Sequence, residues 1–90
     1  AKRVFVKDSA VDAICNGSPL YPKGITRIQK DIIRGETVAI MALKEELIAL
    51  GISKMTSEEM LKRKNGTAVR VDRVLMQRGI YPRWESKSDT

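Results

Sequence analysis

No histidine occurs in this chain. That absence removes the Ser-His-Asp and Cys-His arrangements, the HExxH helix and every histidine-containing zinc site. Cys15 is the single cysteine, so it can build neither a cysteine cluster nor an internal disulfide. On the apolar side of a short helix it reads as a small buried hydrophobe rather than a reactive thiol. The carboxylate neighbours Glu45-Glu46 and Glu58-Glu59 diverge in direction, and the second pair suits the first turn of a helix better than paired acid–base work. Neither a GxGxxG nor a P-loop glycine pattern is present. The chain therefore reads as a binding domain without catalytic residues, metal or cofactor.

The chemistry that remains is recognition. From Asn16 to Gly24 two glycines, a serine and two prolines expose backbone groups with little side-chain bulk. Such a loop suits close approach of a base or a phosphate, with Tyr21 placed to stack on a base and Lys23 and Arg27 to neutralise phosphates. A plain turn is the competing reading of the same residues. Net charge points to a polyanion: 17 Lys and Arg against 11 Asp and Glu leave +6. From Leu61 onward there are eight basic and three acidic residues, so five of the six net charges lie in the last third. A basic field of this kind favours nucleic acid, with a solvated surface or an acidic protein partner as the alternatives. Tyr81 and Trp84 are open to two readings, base platforms or apolar plugs that tie the C-terminus to the body.

The elements that must position these residues form a mixed α/β, mainly β set. Arg3 to Lys7 is a short β-favouring strand. Asp8 and Ser9 offer N-caps, Ser9 with Asp12 forms a short capping pattern, and Ala10, Val11, Ile14 and Cys15 recur at helical spacing up to the stop at Asn16-Gly17. Gly24 to Gln29 predicts a second strand, and residues 31–36 a turn. Thr37 to Leu43 is apolar on both faces, as in a strand buried on both sides, and Leu47 to Met55 is similar across the hairpin Lys44-Glu45-Glu46. Thr56 with Glu59 is a capping box opening a helix that Asn65-Gly66 would end, with Lys62, Arg63 and Lys64 as cations at its C-terminus. In the last strand, Thr67 to Gln77, Val69 and Val71 are out of phase with Val74 and Met76, which calls for a bulge where the sheet curls. A curled sheet whose ends are filled by two short helices is the economical solution.

Ninety residues predict one domain with a modest core. The longest apolar run, Val38 to Leu43, is too short to span a bilayer, and no signal peptide is visible. The lone cysteine suits a reducing, intracellular setting.

Four stretches carry a family resemblance. Val6 to Gly17 resembles the opening of the PUA domain in dyskerin-type (centromere-binding-factor-like) RNA-guided pseudouridine synthases. Val38 to Lys44, Met55 to Leu61, and Asp72 to Met76 with Tyr81-Pro82 agree in order and spacing. The helix Thr56-Ser57-Glu58-Glu59-Met60-Leu61 is similar to that of archaeal members. The resemblance implies a PUA-type pseudo-barrel of mixed strands with two short helices over residues 1–84; the polar composition after Pro82 predicts a disordered tail at 85–90. The resemblance also implies a component of the box H/ACA ribonucleoprotein, serving tRNA or rRNA processing, that grips the ACA trinucleotide and adjacent lower stem of a guide RNA. The implied contact residues are Lys7, Asn16, Gly17, Ser18, Leu20, Tyr21, Gly24 and Arg27, with Arg78, beside Lys23 from the reading of the loop itself. The chain has Lys23 directly before Gly24, where family members often carry proline.

The catalytic aspartate of such synthases belongs to a separate domain, so this module is expected to bind and not to isomerise uridine. Implied partners are the guide RNA or a tRNA, the parent's catalytic domain and other H/ACA proteins, with no membrane and no small-molecule substrate. The implied location is the cytoplasm of an archaeon, or the nucleolus if the source is eukaryotic. Two alternatives stand beside this one: a PUA domain of another tRNA-modifying enzyme (the archaeosine transglycosylase type) or a free-standing PUA protein, and a protein-docking domain.

Overall fold

The computed structural model describes residues 1–76. Strand β1 (Lys2–Val6) leads into helix α1 (Asp8–Cys15). A 3₁₀ turn (Pro22–Gly24) precedes β2 (Ile25–Ile28), and β3 (Thr37–Ala42), β4 (Leu47–Ser53), α2 (Ser57–Lys62) and β5 (Val69–Val74) follow. The five strands form one sheet in the order β2-β1-β3-β4-β5. β1 runs parallel to β3, and every other neighbouring pair is antiparallel. Beyond β5 the chain adds one more link: Leu20 and Val69 form an isolated antiparallel bridge, with the Leu20 N–H donating to the Val69 carbonyl at 2.9 Å and the Ala68 N–H donating to the Leu20 carbonyl at 2.8 Å. The segment just before β2, one edge strand, is thereby pinned to β5, the other. This bridge turns an open sheet into a pseudo-barrel.

β3 lies at the centre and is buried on both faces, as its unbroken apolar run predicts. Val38, Ile40 and Ala42 join the main core with Val4, Val6, Val11, Ile14 and Ile48. Ala39 and Met41 project the other way and cluster with Phe5 and half-buried Leu50. Alternation along the strand accounts for the division. On β5 the pairing jumps from Gly51 with Val71 to Leu50 with Arg73, so Asp72 is the extra residue of a bulge. That bulge is the phase change visible in the sequence, and it lets Val71, Val74 and Met76 all pack against the main core.

Three local expectations are corrected. α1 begins at Asp8 with Lys7 in the N-cap position and no capping side chain, so Asp8 and Ser9 both lie inside the helix rather than capping it. The start is set from outside, because the Lys7 N–H donates to the Gly24 carbonyl at 2.8 Å and holds that residue extended. α2 stops at Lys62, with Arg63 already extended at φ −89° and ψ 145°; Asn65-Gly66 therefore belongs to the following loop and does not end the helix. β5 ends at Val74, short of Gln77, which lies outside the described residues.

The Thr56 capping box is present in full. The Glu59 N–H donates to Thr56 Oγ1 at 3.1 Å, and the Thr56 N–H donates to Glu59 Oε1 at 2.9 Å. Arg34 reaches the same carboxylate with its Nε 3.0 Å from Oε1 and its Nη2 on Oε2. The Arg34 hydrogen bonds, followed by the Thr56 N–H, lower the Glu59 pKa to about 2. A carboxylate lowered in the folded state stabilises it fully above the unfolded value of about 4.3, and that contribution disappears as pH falls toward the folded value. The Glu59→Gln domain should therefore melt lower than the parent at neutral pH, and the difference should close between about pH 4.3 and about pH 2. Melting curves across that window check this; a constant gap down to pH 2 would show that the charge is not what stabilises α2.

Candidate nucleic-acid interface

α1 ends in a compact Schellman turn. The Gly17 N–H donates to the Ile14 carbonyl at 2.9 Å, and the Ser18 N–H donates to the Ala13 carbonyl at 3.0 Å. Gly17 takes φ +89°, the left-handed region that glycine occupies without a Cβ penalty. Asn16 adds a side-chain hydrogen bond, Nδ2 to the Asp12 carbonyl at 3.0 Å. After the turn, the Leu20 bridge and the 3₁₀ turn hold the loop at both ends.

Between α1, this loop and the loop after α2 lies a groove of about 550 Å³, inside the size range of ligand clefts. Ala10, Ala13 and Ile14 of α1 form one wall, Ser18 to Tyr21 with Lys23 and Gly24 another, and Lys64, Asn65 and Gly66 the third. None of these lining residues is acidic. Lys23 and Lys64 supply the charge, and Tyr21 is about half exposed (49%), with its ring free to lie against a planar ligand. Small side chains over an apolar floor, with backbone amides and two cations nearby, suit a flat ring attached to an anionic chain.

The residues singled out from sequence fare differently. Ser18, Leu20, Tyr21, Lys23 and Gly24 line the groove together, and Asn16 and Gly17 stand at the end of α1 beside it. Leu20 is almost fully buried, at 2% exposure, so it serves as floor. Gly24 packs against α1, where a Cβ would meet Ala10 Cβ at 3.3 Å and Leu20 Cδ1 at 3.5 Å; its smallness keeps the 3₁₀ turn close to the helix. Lys7 is exposed but does not line the groove, and its backbone ties β1 to Gly24.

Arg27 is not brought together with these residues. It pairs with Phe5 across β1 and β2, and its guanidinium carbon lies 4.2 Å from the centre of the Phe5 ring. Phe5 faces away from the core that α1 covers, so Arg27 lies across the sheet from the groove. It lines a different depression with Arg3, Gln29 and Glu45. Arg78, Tyr81, Trp84 and the 85–90 tail lie outside the described residues. Inspection of the sequence missed the third wall. Lys64-Asn65-Gly66 reads as a helix stop, and the signal that marks it is the cation run 62–64, which a helix C-terminus also favours.

Comparison with known proteins decides the family. The family profile described as PUA domain matches residues 2–75. The chain belongs to the PUA domain family. Among curated relatives, this PUA domain is 51% identical over 87 residues to the probable tRNA pseudouridine synthase B of Methanocaldococcus jannaschii, covering 96% of the chain and 26% of that protein. It is 44% identical over 88 residues to the corresponding protein of Archaeoglobus fulgidus, covering 97% of the chain and 27% of that protein. The PUA domain thus spans about a quarter of the length of the curated relatives it matches.

Among solved structures, it superposes with a TM-score of 0.88 and 49% identity on a chain in the structure of an H/ACA RNP bound to a substrate RNA containing 2′-deoxyuridine, over 90% of this chain and 26% of that one. A conserved PUA domain protein from Thermoplasma acidophilum superposes at 0.78 with 30% identity, over 81% of this chain and 48% of that one. The mainly β pseudo-barrel with two short helices is therefore the PUA fold, as the four sequence stretches imply.

Proposed function

We propose that this PUA domain binds RNA and serves as the guide-RNA-gripping module of an archaeal-type pseudouridine synthase in an H/ACA ribonucleoprotein, with the ACA trinucleotide seated in the groove beside Gly17. The observation that carries this reading is the groove itself: small-residue walls, an exposed tyrosine and two lysines with no lining carboxylate, at the end of a helix closed by a positive-φ glycine. The likeness to a chain of an RNA-bound H/ACA ribonucleoprotein supports it, and so does the net charge of +6. Catalysis in this reading belongs to the portion of such synthases that the 90 residues do not match. The archaeal relatives support a cytoplasmic setting.

A fluorescence titration with a short RNA stem ending in ACA, beside the same stem ending in UGU, tests the assignment. Binding tighter for ACA by about tenfold or more is expected, about the cost of one misread base at 1–3 kcal/mol. Equal affinity for both stems would remove the trinucleotide from the reading. A tRNA competitor separates the guide RNA from the 3′ end of a tRNA as the preferred ligand.

A further inference from the structure

α2 stops at Lys62, with Arg63 as its C-cap residue. Arg63 feels the charge of the Glu59 carboxylate, while Lys64 lies past the last turn, where the pull of the helix dipole has fallen off. Extended backbone at Arg63 carries both residues to a second cleft, about 280 Å³, between α2 and β2. Pro22, Lys23, Thr26, Leu61, Arg63 and Lys64 are among its lining residues.

Two features connect this cleft with the groove beside α1. Lys23 and Lys64 line both, so the two are continuous across that pair of cations. No carboxylate lines either one. The ion pairs among the described residues are Lys2–Glu36 and Arg34–Glu59, and none of Lys23, Arg63 or Lys64 takes part in them. Leu61, on the rim, is 75% exposed, an apolar surface on which a sugar or base can rest.

We infer that the cleft between α2 and β2 is a track for the phosphodiester backbone of single-stranded RNA, continuous with the base-binding groove and walled by Lys23, Arg63 and Lys64. The inference rests on the RNA-binding reading above and extends it to a second element, α2 and its exit loop. Its cations contact phosphates and not bases, so the affinity it adds is electrostatic and independent of sequence. The groove beside Gly17 reads bases, and the track holds the strand that leaves it.

The test compares Arg63→Gln, on the track alone, with Arg73→Gln, an exposed cation of equal charge on β5. The probe is the ACA-ended stem carrying four extra 3′ uridines, titrated from 50 to 200 mM salt. Arg63→Gln should reduce the magnitude of the salt slope by about 0.7, the value for one single-strand phosphate contact. Across that fourfold salt range the parent should then lose about 2.6 times more affinity than the variant. Preference for ACA over UGU should stay unchanged, and Arg73→Gln should behave like the parent. A slope for Arg63→Gln equal to that of the parent, in a domain that still prefers ACA, would overturn the track while leaving the RNA-binding reading standing. Failure of the unmutated domain to bind either RNA would overturn both.

Discussion

Replacing Gly51 by alanine is expected to destabilise the domain by about 3 kcal/mol, near the top of the usual range for an overpacked site. A Cβ built on Gly51 would stand 2.5 Å from Val69 Cγ1 and 2.6 Å from the Arg70 carbonyl oxygen, well inside van der Waals contact. Val69 is fully buried, and a close-packed interior gives its side chain little room to rotate away. The carbonyl is worse placed to yield, because Arg70 is held in register opposite Ile52. Relief requires β4 and β5 to separate where the bulge already strains their pairing.

The consequence reaches the Leu20 bridge, since Val69 is also its partner. For a domain of this size, about 3 kcal/mol corresponds to a fall in Tm of roughly 12–24 °C, easily read by thermal or urea melting. An alanine variant as stable as the parent would mean that the close approach of the two strands is not required by the fold.

The second large effect concerns binding and leaves the fold in place. At Gly17 nothing lies within 4 Å of a built Cβ, so a side chain there meets open space. What it meets instead is backbone strain, because φ is +89°, at a cost of about 1–2 kcal/mol for any L residue. Gly17→Ala carries that strain alone and should remain folded and bind RNA within a few-fold of the parent. Gly17→Glu carries the same strain and also sets an anion and its bulk beside the groove. Like charges brought together at an interface cost several kcal/mol, so a loss of affinity of about 100-fold or more is expected. Matched melting curves for the two variants, with RNA titrations beside them, separate folding from binding. If the glutamate variant binds as the alanine variant does, the RNA does not pass this glycine.

Much of the fold is legible in the sequence. The Thr56–Glu59 box, the glycine stop after α1, the two-sided burial of β3 and the change of phase in β5 are encoded within windows of a few residues, where cap chemistry and side-chain period act locally. The candidate loop from Asn16 to Gly24 was legible for the same reason, since glycine and proline declare their backbone needs in place.

What the tertiary structure alone decided depends on residues far apart in sequence. β2 has only four residues, too few for a period to show which side faces the core, so its pairing register with β1 placed Arg27 over Phe5 and away from the groove. The start of α1 likewise answered to a distant carbonyl, that of Gly24, and not to the hydroxyl of Ser9. The third wall of the groove exists because the Leu20–Val69 bridge draws the loop after α1 toward β5, near the loop that enters that strand. Local preference specifies which segments bend or extend; long-range pairing, with its larger loop-closure cost, specifies which surfaces end up side by side. Sequence by itself determined a small basic β-rich domain with a glycine-turned binding loop. Only the closed sheet decided that Lys64 and Asn65 share that loop's groove and that Arg27 does not.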